Sequence, residues 1–229
     1  WADVRPRIER AFDALPKVRV MLFEPSGAPV TERIAKTAIE PPMTAGRAVL
    51  IGLMDRYRSG LMDPFVSLLE VHKLMYFMQE TGQKLRLKYV QAPYGPYAEN
   101  LRHVLKEIDG YFVSGYADGG EAPDKELALV PGAVEDADAF LTDHPDTRTR
   151  FDRVADLVEG FETPFGLELL STVHWIVTRD NVRNVDEVVA KFYAWGERKQ
   201  RFSPRQIKLA LDVLTKKNWL SGAYNLAAV

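Results

Sequence analysis

The stretch Val66-Ser-Leu-Leu-Glu-Val-His-Lys-Leu-Met-Tyr-Phe-Met-Gln-Glu-Thr-Gly82 decides the fold. Leu68, Val71, Met75 and Met78 recur at helical spacing on one face, while Leu69, Leu74, Tyr76 and Phe77 fill most of the remaining circumference. A helix that is apolar nearly all round has to be covered by other elements on every side. Residues Val66 to Thr81 are therefore expected to form the central helix of a helical body, closed by Gly82 at the position where glycine commonly ends a helix.

Working outward, Val49, Leu50, Leu53, Met54 and Tyr57 predict a helix from Arg47. Beyond Gly82, the alternation of Leu85, Leu87 and Tyr89 with Arg86 and Lys88 predicts a strand. The turn Ala92-Pro-Tyr-Gly-Pro96 then leads into a helix of Tyr97, Leu101, Val104, Leu105 and Ile108, with Pro96 in its first turn. Tyr111 to Tyr116 reads as a short strand, Ala117 to Asp124 as a loop, and Leu127 to Val130 as a strand returning beside the first. The remainder is helical. Val134, Ala137 and Leu141 mark one helix, and Phe151, Val154, Ala155 and Val158 the next. Thr163-Pro164 caps another, and Asn184 with Glu187 and Ser203 with Gln206 are capping-box patterns. The fold class is α+β and predominantly helical, a helical domain with a small antiparallel sheet.

Toward the N-terminus, Val4, Ile8, Ala11, Phe12 and Leu15 predict an amphipathic helix, and Val18, Val20 and Leu22 a strand. One helix and one strand cannot bury their own apolar faces. Pro25, Pro29, Pro41 and Pro42, with Ser26, Gly27 and Gly46, make residues 25–46 a linker between a unit of residues 1–24 and a domain of residues 47–229. The sequence opens on Trp1 almost directly into helix, and is expected to be a piece of something longer. Its 229 residues contain no Cys, which removes disulfides, thiolate nucleophiles and Cys-ligated metals. No run is long and apolar enough to span a membrane and no signal pattern is present, so a cytoplasmic protein is expected.

The net charge of -2 is a cancellation. Residues 107–146 carry eleven acidic side chains against Lys125 alone, a net of -10, whereas residues 1–106 and 179–229 each carry +5. Uncompensated carboxylates persist where solvent or a cationic partner accepts them. One reading is a solvated face with acids at helix N-termini, as Glu135, Asp136 and Asp138 would be. The other is a surface that occupies a cationic groove. Sites for single-stranded nucleic acid pair phosphate-tracking cations with aromatic rings on which bases stack. A protein imitating such a strand would interleave carboxylates with rings, and Asp109, Tyr111, Tyr116, Asp118, Glu121, Asp124 and Glu126 offer that pattern.

Catalytic constellations are sparse. His72 and His174 lie in apolar helical stretches that suit core imidazoles, His103 sits beside Arg102, and His144 precedes Pro145. Helical zinc spacing, H-E-x-x-H, a Walker or dinucleotide fingerprint and a G-x-S-x-G elbow are all missing. The residues predict no enzyme, no cofactor and no metal. Lys199, Arg201, Arg205, Lys208, Lys216 and Lys217 around Phe202 and Trp219 keep two readings open, a winged-helix-like unit that meets DNA and a solvated helix anchored by Trp219.

Four separated motifs carry a family resemblance: Ser67 to Gly82, Ala92-Pro-Tyr-Gly-Pro-Tyr-Ala-Glu-Asn-Leu101, Gly115-Tyr-Ala-Asp-Gly-Gly120 and Gly160-Phe-Glu-Thr-Pro-Phe-Gly166. In order, they resemble the C-terminal domain of the DarG antitoxins, over about Arg47 to Leu220. The K-L-x-Y-F and P-Y-G-P elements are also similar, more loosely, to the Panacea antitoxin domain. The resemblance implies that residues 1–24 are the last helix and strand of a macrodomain, the domain that in this family removes ADP-ribose from DNA. It also implies that residues 47–229 bind a cognate DarT-type toxin, which uses NAD to ADP-ribosylate single-stranded DNA. With most of such a macrodomain absent from the sequence, no catalytic residue is carried over. The expected function is toxin neutralisation by DNA mimicry, through the seven residues above. The alternatives are a DNA-binding or autoregulatory module built on Lys199 to Lys217, and residual DNA ADP-ribosyl hydrolase activity.

Overall fold

The computed structural model describes residues 6, 10, 40–60, 65–116, 122–180, 182 and 184–220. The chain divides into two units, residues 1–40 and 41–229. In the first, Pro6 and Arg10 are helical, and the Arg10 Nε donates to the Pro6 carbonyl over 3.0 Å. The rest of the expected N-terminal helix and strand, and most of the linker, lie outside the described residues.

In the second unit, among the described residues, eight α-helices surround two small antiparallel sheets. The order begins α1 (Ala45–Gly60), β1 (Val66–Ser67), α2 (Leu68–Glu80), β2 (Val90–Ala92), β3 (Gly95–Tyr97), α3 (Leu101–Ile108), β4 (Val113–Ser114) and β5 (Glu126–Leu129). It continues with α4 (Ala133–Thr142), α5 (Pro145–Val158), α6 (Pro164–Arg179), α7 (Val185–Ala194), a 3-10 turn (Glu197–Arg201) and α8 (Pro204–Lys216).

The central helix is α2, buried from Leu68 through Met78. It starts where it does because Ser67 caps it. The Ser67 hydroxyl accepts from the Glu70 amide, and the Glu70 carboxylate accepts from the Ser67 amide at 2.7 Å. Around it α1 packs on α4 and α5, and α6 packs on α2, α7 and α8, so one apolar core runs from Ala48 to Trp219. Thr163, Asn184 and Ser203 cap α6, α7 and α8 through their side chains, as expected.

Two local expectations are corrected. Residues 85–89 form no strand. Arg86 adopts a left-handed φ of 59°, and side chains replace the ladder, Gln79 bonding both the amide and the carbonyl of Leu87, and Asn100 the Lys88 amide and the Arg86 carbonyl. Pro96 does not open a helix. It lies in β3, paired opposite Gln91 of β2, and α3 begins only at Leu101. The returning strand β5 lies beside β4, within the strand expected over Tyr111 to Tyr116, and its other edge pairs with β1, with Val66 opposite Leu127 and Val113 opposite Leu129.

The β2–β3 hairpin sits directly on α6. A side chain at Gly95, whose φ is 95°, would bring a Cβ within 2.8 Å of the Thr172 hydroxyl, so glycine alone lets the turn approach so closely. No helix among the described residues is long and apolar enough to cross a membrane.

Candidate partner-binding site

The N-termini of α2 and α6, the tip of the hairpin and the segment leading into β5 enclose two adjoining depressions. The larger, a groove of about 490 Å³, is lined by Glu70, Asp124, Glu126 and Glu162, with Arg198 as its cation and Phe65 and Tyr94 as its rings. Two helix N-termini, at Ser67 and Thr163, face this cluster, and their partial positive charge makes carboxylates favourable there. Glu70 is the tied member, accepting from the Ser67 hydroxyl at 2.6 Å and from the buried Tyr57 hydroxyl. Glu162 accepts from the Gly160 amide at 2.6 Å. Asp124 and Glu126 are exposed.

The smaller cavity, about 230 Å³, shares Leu69, Tyr94 and Pro123 with the groove and is otherwise bounded by Leu68, His72, Lys73, Ala92, Pro93, Gly95 and Tyr97. His72 stacks on Tyr97 at 4.4 Å, and its Nδ1 is buried without a hydrogen-bond partner. Burial, with the neighbouring Lys73 cation, lowers its pKa to about 3, so the imidazole is neutral. Lys73 turns its ammonium away to the Pro96 carbonyl at 2.6 Å. Burial, then the Lys199 cation, pull its pKa down to about 7 against the opposing influence of Glu168.

Behind the hairpin lies a buried polar knot. Glu168 is 1% exposed and Lys199 0%, and they meet at 2.8 Å. Lys199 also donates to the Thr172 hydroxyl at 3.1 Å, and Arg198 reaches Glu168 at 3.2 Å while covering the Tyr94 ring at 4.0 Å. Trp195 Nε1 donates to the Ala92 carbonyl at 2.8 Å. The hairpin wall of both depressions is thus braced by residues about a hundred positions downstream. Among the described residues, no group of three or more His, Asp or Glu side chains could hold a metal ion.

The seven sequence-predicted residues are separated by this arrangement. Asp124 and Glu126 line the groove. Asp109 instead accepts from the Tyr116 amide at 3.0 Å, a bond that shapes its own loop. Tyr116 is 5% exposed and belongs to the core, and Tyr111 packs against that core half-buried. The expectation that Tyr116 faces a partner is corrected, because its ring is used by the core, whereas Tyr111 is only half-buried. Asp118 and Glu121 lie outside the described residues. Elsewhere in the acidic block Glu107 pairs with Arg47, while Glu135, Asp136 and Asp138 form the exposed side of α4, the solvated face that was the other reading.

Sequence reasoning missed Phe65, Glu70, Tyr94 and Glu162 as groove residues. A signal existed, since Glu70, Tyr94 and Glu162 sit inside three of the quoted motifs, which converge here although far apart in sequence. At the C-terminus, Trp219 is a packed anchor against Phe77 and His174, and Lys199 is withdrawn from any basic outer face.

No family model matches the chain. It is 38% identical over 220 residues to the DNA ADP-ribosyl glycohydrolase of Thermus aquaticus (strain ATCC BAA-2747 / Y51MC23), covering 96% of this chain and 60% of that protein. It is 36% identical to the proteins of the same name from Mycobacterium tuberculosis (strain ATCC 25618 / H37Rv) and Mycobacterium bovis (strain BCG / Pasteur 1173P2), covering 93% of this chain and 63% of theirs. The chain therefore spans about three fifths of the length of these relatives. The relatives bear the name of an enzyme and match nearly all of the chain, which overturns the expectation of no enzyme. Over almost its whole length, the chain is similar to proteins named DNA ADP-ribosyl glycohydrolase.

Proposed function

We propose that the protein joins two activities on one substrate system, capture of a DarT-type toxin by residues 41–220 and hydrolysis of ADP-ribose from DNA. The observation that carries the first is the groove itself. Asp124, Glu126 and Glu162 line it with the Phe65 and Tyr94 rings, beside one arginine already paired with Glu168, the complement of a site that grips single-stranded DNA with cations and aromatic side chains. Filling such a site excludes DNA without any chemistry. Opposite charges speed the encounter, and buried apolar contacts slow release.

Replacing Asp124 by Asn, Glu126 by Gln and Glu162 by Gln together weakens toxin binding about 10- to 100-fold and flattens its salt dependence. Isothermal titration across a range of salt concentrations reads both. Unchanged affinity and salt slope would remove the mimicry mechanism.

The second reading is supported by the names of the relatives. Incubating this chain with ADP-ribosylated single-stranded DNA is expected to release ADP-ribose. No release at protein concentrations equal to substrate would place the activity outside this length of the protein.

A further inference from the structure

The apolar cavity beside the groove has no part in a mechanism based on charge alone. It holds about 230 Å³, below the roughly 300–1,000 Å³ of small-molecule pockets, and so is sized for a single side chain. Its walls are apolar apart from His72, since Lys73 spends its ammonium on the Pro96 carbonyl. Its mouth is continuous with the acidic groove through Leu69, Tyr94 and Pro123. Phosphate-bearing ligands are repelled there by Asp124, Glu126 and Glu162, whereas a cationic segment is attracted.

We propose that this cavity is the seat for one aromatic side chain of a partner protein, whose flanking Lys or Arg residues lie in the acidic groove. The inference rests on the toxin-capture reading and names the chemistry of the segment captured. A surface built to hold single strands offers rings for the bases and cations for the phosphates. The groove answers the cations and the cavity answers a ring. An aromatic ring fills the apolar space lined by Leu69, His72 and Tyr97. In this arrangement the antitoxin surface does more than imitate phosphates, because it removes from service a ring on which the toxin would stack a base.

The test uses the full chain, amide NMR and three probes: p-cresol, acetyl-Arg-Tyr-Arg-amide and acetyl-Arg-Ala-Arg-amide. Saturable shifts at Leu69, His72, Tyr94 and Gly95 are expected with p-cresol. The tyrosine peptide should bind about tenfold or more tighter than its alanine counterpart, from burial of one ring. Leu69→Trp, which fills the cavity from its own wall, should abolish the p-cresol shifts and lower toxin affinity. Failure of p-cresol to saturate, or equal affinity of the two peptides, would overturn the proposal even if Leu69→Trp does not fold. Toxin binding that is lost in the carboxylate variant but indifferent to p-cresol and to Leu69→Trp overturns the cavity's role and leaves toxin capture standing. A chain that binds no toxin but still prefers the tyrosine peptide ends the toxin reading and keeps the side-chain seat.

Discussion

Replacing Glu168 with Gln lowers the free energy of unfolding by about 3–5 kcal/mol, the usual loss when one partner of a buried ion pair is removed. The reason is the arithmetic of charge behind the hairpin. Glu168 is the carboxylate partner of the buried Lys199, and its field also favours the charged form of the buried Lys73. Without it two ammonium groups remain in a poorly solvated interior, and burial already pulls both pKa values down. Urea unfolding followed by far-ultraviolet circular dichroism measures the change. Lys199→Met added to Glu168→Gln recovers part of the loss, because it removes the stranded charge and keeps the packing among Phe192, Trp195 and Phe202. A single variant as stable as the parent would show that the pair contributes nothing net.

Acid begins to destabilise the domain above the pH at which its carboxylates protonate. Burial is the main cause that holds His72 and His174 at pKa values of about 3 in the folded state, against about 6.5 in the unfolded chain. Between those values the unfolded state binds the proton and the folded state does not, so stability falls as pH falls. Each histidine contributes a slope of about 1.4 kcal/mol per pH unit, fully developed between roughly pH 5.5 and 4. The two together remove about 3 kcal/mol for each unit in that window. Lys73, lowered from 10.5 to about 7, extends the same trend upward, with stability rising as pH increases from about 7 toward 10.5. Glu80 acts in the opposite sense, since its burial raises its pKa and favours the folded state on acidification. Urea midpoints at half-unit pH steps read the slope. The variant His174→Gln should halve it, keeping a side chain able to bond the Tyr76 hydroxyl that lies 2.8 Å from His174 Nδ1.

Much of this architecture was legible in the sequence because its signals are local. Leu68 to Met78 announced the buried helix, and Ser67, Thr163, Asn184 and Ser203 announced their helix starts through caps that act over three residues. The errors arose where a distant partner decided the outcome. Arg86 breaks an alternating pattern that resembles a strand, and the amide groups freed by that break are taken up by Gln79 and Asn100, which alternation does not reveal. Pro96 was compatible with a helix start, but the close seat of Gly95 on Thr172 makes its neighbourhood a hairpin. The acidic block illustrates the same limit. Counting located the charge, yet only the fold could distribute it, sending Asp109 to a loop amide, Glu135 to solvent and Asp124 to a groove completed by Glu70 and Glu162 from other elements.

The hairpin carries a mechanical consequence. Its strands are three residues each, too short to persist alone, and its tip forms one wall of the binding surface. What holds that wall is Trp195 on the Ala92 carbonyl, Arg198 over Tyr94 and Lys73 on the Pro96 carbonyl. Any molecule that presses against the hairpin therefore also loads the 3-10 turn and α7. Occupancy should be felt as slower amide exchange across residues 192–202, of which Arg198 alone lines a depression, so the end of α7 and most of the turn would register a visitor they never touch.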